Sequence, residues 1–197
     1  STALGRGNLS VGGMATLDNS APLVLANAID LNADLTIAGS HDLTLAGVLA
    51  GNGALIKNGT AGLTLSGNNL LTGPLNVMGG TLTTVGAGAL GNASGVTVGS
   101  GATLDLGSSA AFNTLAGNGA LQVAAGNTLT IGGNNTFGGS PGGGGALDKV
   151  GTGTLNLTGN SSLSGATSVT GGTLNVAGSL ASSSVTVNSG ATLSGGG

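Results

Sequence analysis

The chain has no cysteine, no tryptophan and no tyrosine, and Phe112 and Phe137 are the only aromatic residues among 197. Without cysteine there is no disulfide staple and no thiolate metal site, so stability must come from packing and backbone pairing. With so few rings, a thick and irregular core is excluded; Leu, Val, Ile and Ala must pack in thin, repeated layers. Charge is equally scarce. Three Lys/Arg stand against six Asp with no Glu, giving 5% charged residues and a net charge of −3, where an ordinary domain carries about 25% charged residues. A nucleic-acid surface needs clustered cations, whereas Arg6, Lys57, Lys149 and His41 are scattered. The apolar runs are interrupted by Gly, Asn or Ser after a few residues, which rules out a membrane-crossing helix of about 20 residues. The opening "STALGRGNLS" lacks the basic start and apolar stretch of a signal peptide, so the chain is expected to begin after processing or as a piece of something longer.

What is abundant is glycine, 43 residues of it, arranged with regularity. The segment Leu55–Thr84 aligns without gaps on Leu147–Val176 at an offset of 92 residues (147 − 55). Lys57 falls on Lys149, Leu63 and Leu65 on Leu155 and Leu157, and "GGTL" 79–82 on "GGTL" 171–174. The match resumes at 95–104 against 184–193, and "LAGNGAL" occurs at 49–55 and again at 115–121. The repeat copies span 55–104, 115–139 and 147–193 of one segment, 1–197. Neither offset is expected to be the structural period; each should span several turns of a smaller unit.

That unit shows in short alternating pieces: 8–11, 35–37, 43–45, 63–65, 75–77, 96–98, 103–106, 128–131, 154–157, 173–176 and 185–187. Each sets apolar residues two apart around a small polar one, the period of a half-buried strand. Gly, Asn or Ser closes almost every piece, and glycine supplies the positive φ of sharp corners. Short strands, tight corners and similar repeats predict an all-β fold: a right-handed parallel β-helix of about ten coils, near 50 Å long at about 4.8 Å per coil. Leu155, Leu157, Leu174, Val176, Val185 and Val187 are expected to point inward, and Thr154, Asn156, Thr173, Asn175 and Thr186 outward. Asn68, Asn69, Asn134, Asn135 and Asn160 are placed to form ladders at corners. A β-sandwich is the alternative, disfavoured because it needs bulky residues between its sheets.

The residues of Leu147–Val176 resemble the passenger-associated transport repeat of bacterial autotransporters. Lys149, Gly151, Gly153, Leu155, Leu157, Gly159, Asn160, Gly165, Gly172, Thr173, Leu174 and Val176 carry the resemblance. The 55–84 copy shares the lysine, Leu121–Gly139 shares the latter part, and the turn aromatic of the pattern survives only as Phe137. The resemblance implies a β-helical passenger region exported across the outer membrane of a Gram-negative bacterium to the cell surface or beyond. Its partner would be a C-terminal β-barrel translocator in the same precursor. A chain without disulfides suits passage through a narrow pore, and a solenoid can fold coil by coil as it emerges.

Sharper chemistry finds little support. His41–Asp42 could formally join a serine in a triad, but a single histidine in a polar turn reads as solvent-exposed. Asp30, Asp34 and Asp42 read as a charged patch that keeps a neutral rod soluble, not as the clustered carboxylates of a polysaccharide-cleaving site. "GGGGALD" 142–148 displaces Asp148 from the calcium-roll pattern and does not recur in tandem. "GAGALG" 86–91 satisfies a dinucleotide fingerprint with no helix after it. Thr81/Thr83 and Thr128/Thr130 could form an ice-binding array, but Asn156, Asn175, Asp105 and Ser194 replace the second threonine elsewhere. No catalytic, metal or cofactor residue is therefore assigned, no cofactor is expected, and the chain is read as non-enzymatic. Two roles stand: a structural stalk of a secreted surface protein, or an adhesin that binds host surfaces, neighbouring cells or itself. The run 138–146 with Pro141 is expected to protrude as a loop. The uncapped end "SGATLSGGG" is expected to meet further coils or to associate end to end.

Overall fold

A computed structural model of the chain describes residues 4–196; Ser1–Ala3 of the opening stretch and Gly197 of the uncapped end lie outside them. Every ladder pairing is parallel, and successive strands join neighbours about twenty residues away: Leu35 lies on Leu55, Leu55 on Leu75, Leu75 on Val96 and Val96 on Leu115. The fold is thus a parallel β-solenoid, with three faces visited in turn by each coil. Face two carries ten strands, from Ala15–Leu17 to Thr192–Gly195, and therefore nine complete turns, one fewer than the sequence suggests. At about 4.8 Å a step the stack is roughly 43 Å long. Face three carries eight strands, from Leu23–Leu25 to Ser162–Leu163.

Face one is divided. Four strands, Leu9–Val11 to Leu70–Leu71, form one sheet, and five, Ala110–Phe112 to Val185–Val187, form another. Between them the chain passes through the turns of 88–92, which dock downward on the lower sheet: Asn92 N–H donates to the Leu71 carbonyl and Asn69 N–H to Gly88. This stretch is the "GAGALG" run. Its glycines 86, 88 and 91 all take positive φ, which suits successive turns and prevents a strand.

The alternation of small polar and apolar residues becomes an in–out pattern. Leu35, Ile37, Leu55, Leu75, Val77, Val96 and Val98 are buried in one continuous aliphatic core, as are Leu155, Leu157 and Leu174. Val176 is half-buried, and Val185 and Val187 are 42% exposed, contrary to expectation. They lie in the last described coils, where nothing described stacks over their inner side. The two rings need space. Phe137 is fully buried between Gly117 below and Leu157 above, with its ring against Gly139. Gly117 takes a φ of 110°, and a Cβ there would fall 2.0 Å from the Val98 carbonyl oxygen. Gly51, the same glycine in the other "LAGNGAL", has a φ of 118° and would meet the Leu31 carbonyl at 2.2 Å.

The run expected to protrude does not. Ser140–Gly143 is a strand of face three, with Pro141 buried opposite Leu121. A glycine-rich segment held by neighbours on both sides needs no side chains of its own to stay in the sheet, and its composition disguises it as a loop.

Candidate functional site

Chemistry-bearing side chains are dispersed around the coils, and most of the aspartates have a structural partner. Asp34 Oδ1 accepts the Ala54 amide at 2.9 Å and Asp42 Oδ1 the Gly62 amide at 2.9 Å, in both cases from the coil above. Asp30 sits on a face-one strand and meets Asn8 Nδ2 at 3.5 Å. The three aspartates thus occupy separate places on one coil and bracket neighbouring coils, which corrects their reading as one patch. His41 is exposed, with Nδ1 3.2 Å from Ser40 Oγ. No group of three or more His, Cys, Asp or Glu residues suited to a metal occurs among the described residues. Asp148 lies outward on a face-one strand and accepts from Thr170 Oγ1 at 3.1 Å.

Asparagine connects coils by a different route from the one expected. Asn69 is buried; its Oδ1 accepts the Leu49 amide at 2.8 Å and its Nδ2 donates to the Ala89 carbonyl at 2.6 Å, so one side chain bridges three coils. Asn135 Oδ1 accepts the Leu115 amide at 2.6 Å and Asn134 Oδ1 the Thr154 amide at 2.8 Å. The corner asparagines therefore bond backbone rather than one another. A true side-chain ladder runs up the outside of face two, where Asn156 Nδ2 donates to Thr136 Oγ1, Asn175 Nδ2 to Asn156 Oδ1 and Ser194 Oγ to Asn175 Oδ1, at 3.0–3.3 Å.

The outer surface of face two has a further property. Its central outward column reads Thr16, Thr36, Ile56, Asn76, Thr97, Ala116, Thr136, Asn156, Asn175, Ser194, with no charge in ten strands. The threonine pairs that could have made an ice-binding array are split between faces: Thr81/Thr83 lie on face three and Thr128/Thr130 on face one. The face-three column Thr44, Thr64, Thr83 ends at Asp105 after three coils. The break in face one leaves a slot of about 130 Å³ between Ala89–Ala93 and Ser108–Phe112, without an ionisable group in its lining.

The least expected residues are Lys57 and Lys149. Both occupy inward positions of aliphatic columns, Lys57 between Ile37 and Val77 and Lys149 between Ile131 and Val169, at 1% and 0% exposure. Lys57 Nζ donates to the carbonyls of Gly59 and, at 3.0 Å, Gly79; Lys149 Nζ donates to Val150 at 2.6 Å, Gly132 at 3.3 Å and Gly171 at 3.4 Å. Burial pushes both ammonium groups below the ordinary lysine value, and the neighbouring Asp148 carboxylate partly opposes this at Lys149. The sequence signal for them was the alignment of Lys57 on Lys149. Charge alone would point to the surface.

The arrangement defines a class: a repeat solenoid of nearest-neighbour coils, with its polar side chains used to tie coil to coil. Within that class the chain carries two passenger-associated transport repeats, matched at residues 55–84 and 147–176. A parallel β-solenoid bearing these repeats is consistent with an autotransporter passenger repeat region, and the repeat family is associated with exported passengers. No helix among the described residues is long and apolar enough to cross a membrane. None of the curated proteins and none of the solved structures compared matches the chain.

Proposed function

We propose that this chain is a stalk section of a surface-exposed autotransporter passenger, non-enzymatic itself, that supports export and holds more distal parts away from the cell. The observation that carries the reading is the pair of passenger-associated transport repeats set in a solenoid in which each coil pairs with its immediate neighbours. Such a fold needs no distant contact, so it can form progressively as chain leaves a translocator. The partner is a C-terminal β-barrel in the same precursor, and the location is the outer surface of a Gram-negative cell or the medium. The test is to place the chain between an export signal and an outer-membrane barrel and to probe intact cells with protease. Folded, externally accessible chain supports the reading; chain retained inside the cell envelope contradicts it.

A second reading, an adhesin or self-associating fibre, is favoured by the charge-free outer column of face two. Two copies could meet there without like-charge repulsion, with matching coil spacings. Concentration-dependent sedimentation would support it, and a monomer at all concentrations would count against self-association.

A further inference from the structure

We propose that each passenger-associated transport repeat contains a coil-to-coil clamp, in which the lysine ammonium ties its own coil to the next through the first glycine of "GGTL". The reach to the coil above is the same in both copies, although the other acceptors differ. Lys57 reaches Gly79 and Lys149 reaches Gly171, each 22 residues further on and one coil higher. The second glycine completes the device. Gly80 has a φ of 62° and Gly172 of 64°, and φ of a residue orients the peptide unit that carries the preceding carbonyl. A left-handed glycine thus aims the Gly79 or Gly171 oxygen inward at the amine. A Cβ at Gly172 would also fall 2.2 Å from the Gly153 carbonyl oxygen.

The carbonyls need this donor. Gly59, Gly79, Gly132, Val150 and Gly171, all half-buried, accept no backbone hydrogen bond among the described residues, and carbonyls withdrawn from water without a partner are costly. The amine needs them in turn, since no carboxylate pairs with it and a buried charge without partners is costlier still. Lys149 draws on three coils, through Gly132 below, Val150 in its own and Gly171 above. Until the upper coil arrives, both partners stay incomplete, so stacking of the pair is cooperative. The clamp also explains why a repeat of 30 residues extends through five strands: this is the span that contains the lysine, its target glycine and the strand that anchors the target.

The two clamps lie on different faces. Copy one runs through faces two, three, one, two and three, whereas copy two runs through one, two, three, one and two. The offset of 92 residues is four coils and two thirds of another. The motif thus works wherever it falls on the triangle, as a local device should and a face-specific binding site would not.

The clamp itself does not depend on the export reading, and its test is done in solution on the full chain. Lys149→Met keeps the stem and removes the donor. Amide exchange should accelerate by roughly tenfold or more at Thr170, Gly171 and Thr173, since one or more acceptors are orphaned, with Met78, Gly79 and Thr81 of the first copy unchanged; Lys57→Met should do the reverse. Gly172→Ala should reproduce the Lys149→Met pattern. Exchange that is unchanged or slower in both methionine variants would overturn the clamp and make the lysines replaceable core filler, as buried charges sometimes are. Should a variant fail to fold, labelling of the wild-type amines with acetic anhydride decides: modification limited by opening of the coil above supports the clamp, and modification as fast as that of a free amine overturns it.

Discussion

Leu157, 2% exposed, is packed between Phe137 and Val176 in a face-two column. Truncation to alanine should cost about 2–5 kcal/mol, because the neighbouring coils are fixed by backbone pairing and cannot collapse into the gap. Leu157→Asp should abolish local folding, since a carboxylate there has no partner. Val187→Ala, at an exposed inner position of the last described coils, should change the urea midpoint little. The buried lysines give a pH signature. Their folded values lie below the unfolded value near 10.5 because burial disfavours the charged form. In the window just under 10.5 the unfolded chain therefore holds more protons than the folded one, and stability rises with pH. The neutral amine still donates two hydrogen bonds, so the coils stay tied. Ile37 and Val77 face Lys57, Ile131 and Val169 face Lys149, and among the described residues Asp148 is the carboxylate that acts on Lys149. No tyrosine or cysteine titrates nearby. The urea midpoint should increase as pH rises toward 10.5, and the increase should vanish in the Lys57→Met/Lys149→Met double variant.

At the scale of elements, strands with a clean alternation could be read directly: 35–37, 43–45, 75–77, 96–98, 103–106, 128–131, 154–157, 173–176 and 185–187 match their observed bounds. Others were hidden because a neighbour's pairing, not their own side chains, makes them strands. Ala110–Phe112 lacks a polar centre, and Ser140–Gly143 has almost no side chains. The corners were legible as Gly/Asn punctuation but not their wiring, because Asn69 looks like any turn asparagine until coils above and below are placed against it. The inward lysines were illegible for a related reason: a cation in a short alternating piece reads as surface unless acceptors one coil away are known. Asn69→Ala removes bonds to two different coils and should cost about 1–3 kcal/mol, with the loss of exchange protection centred on 49 and 89–92. Asn68→Ala, one residue away, should cost less than half as much in the same denaturation series.

For the whole molecule, sequence repeats and structural coils are separate periods. Coils advance by 17–22 residues, while similar sequences recur at 92 and 66, so equivalent residues lie on different faces. This is possible because the three sides of the triangle impose similar demands: an aliphatic inward pair, a small polar residue outward and a glycine at the corner. Face identity is therefore carried by register alone, and the sequence offset by itself points to wrong neighbours. The chain's lack of cysteine allows a direct check. Cysteine pairs at Ile56/Asn76 and Thr97/Ala116 should form disulfides readily under mild oxidation, as side-by-side residues in register on face two, within the Cα separation a disulfide accepts of about 4.4–6.8 Å. A pair at Thr64/Asn156, equivalent in the 92-residue repeat but placed on faces three and two, should remain reduced. Cross-linking of Thr64/Asn156 with none in the other two pairs would contradict the solenoid.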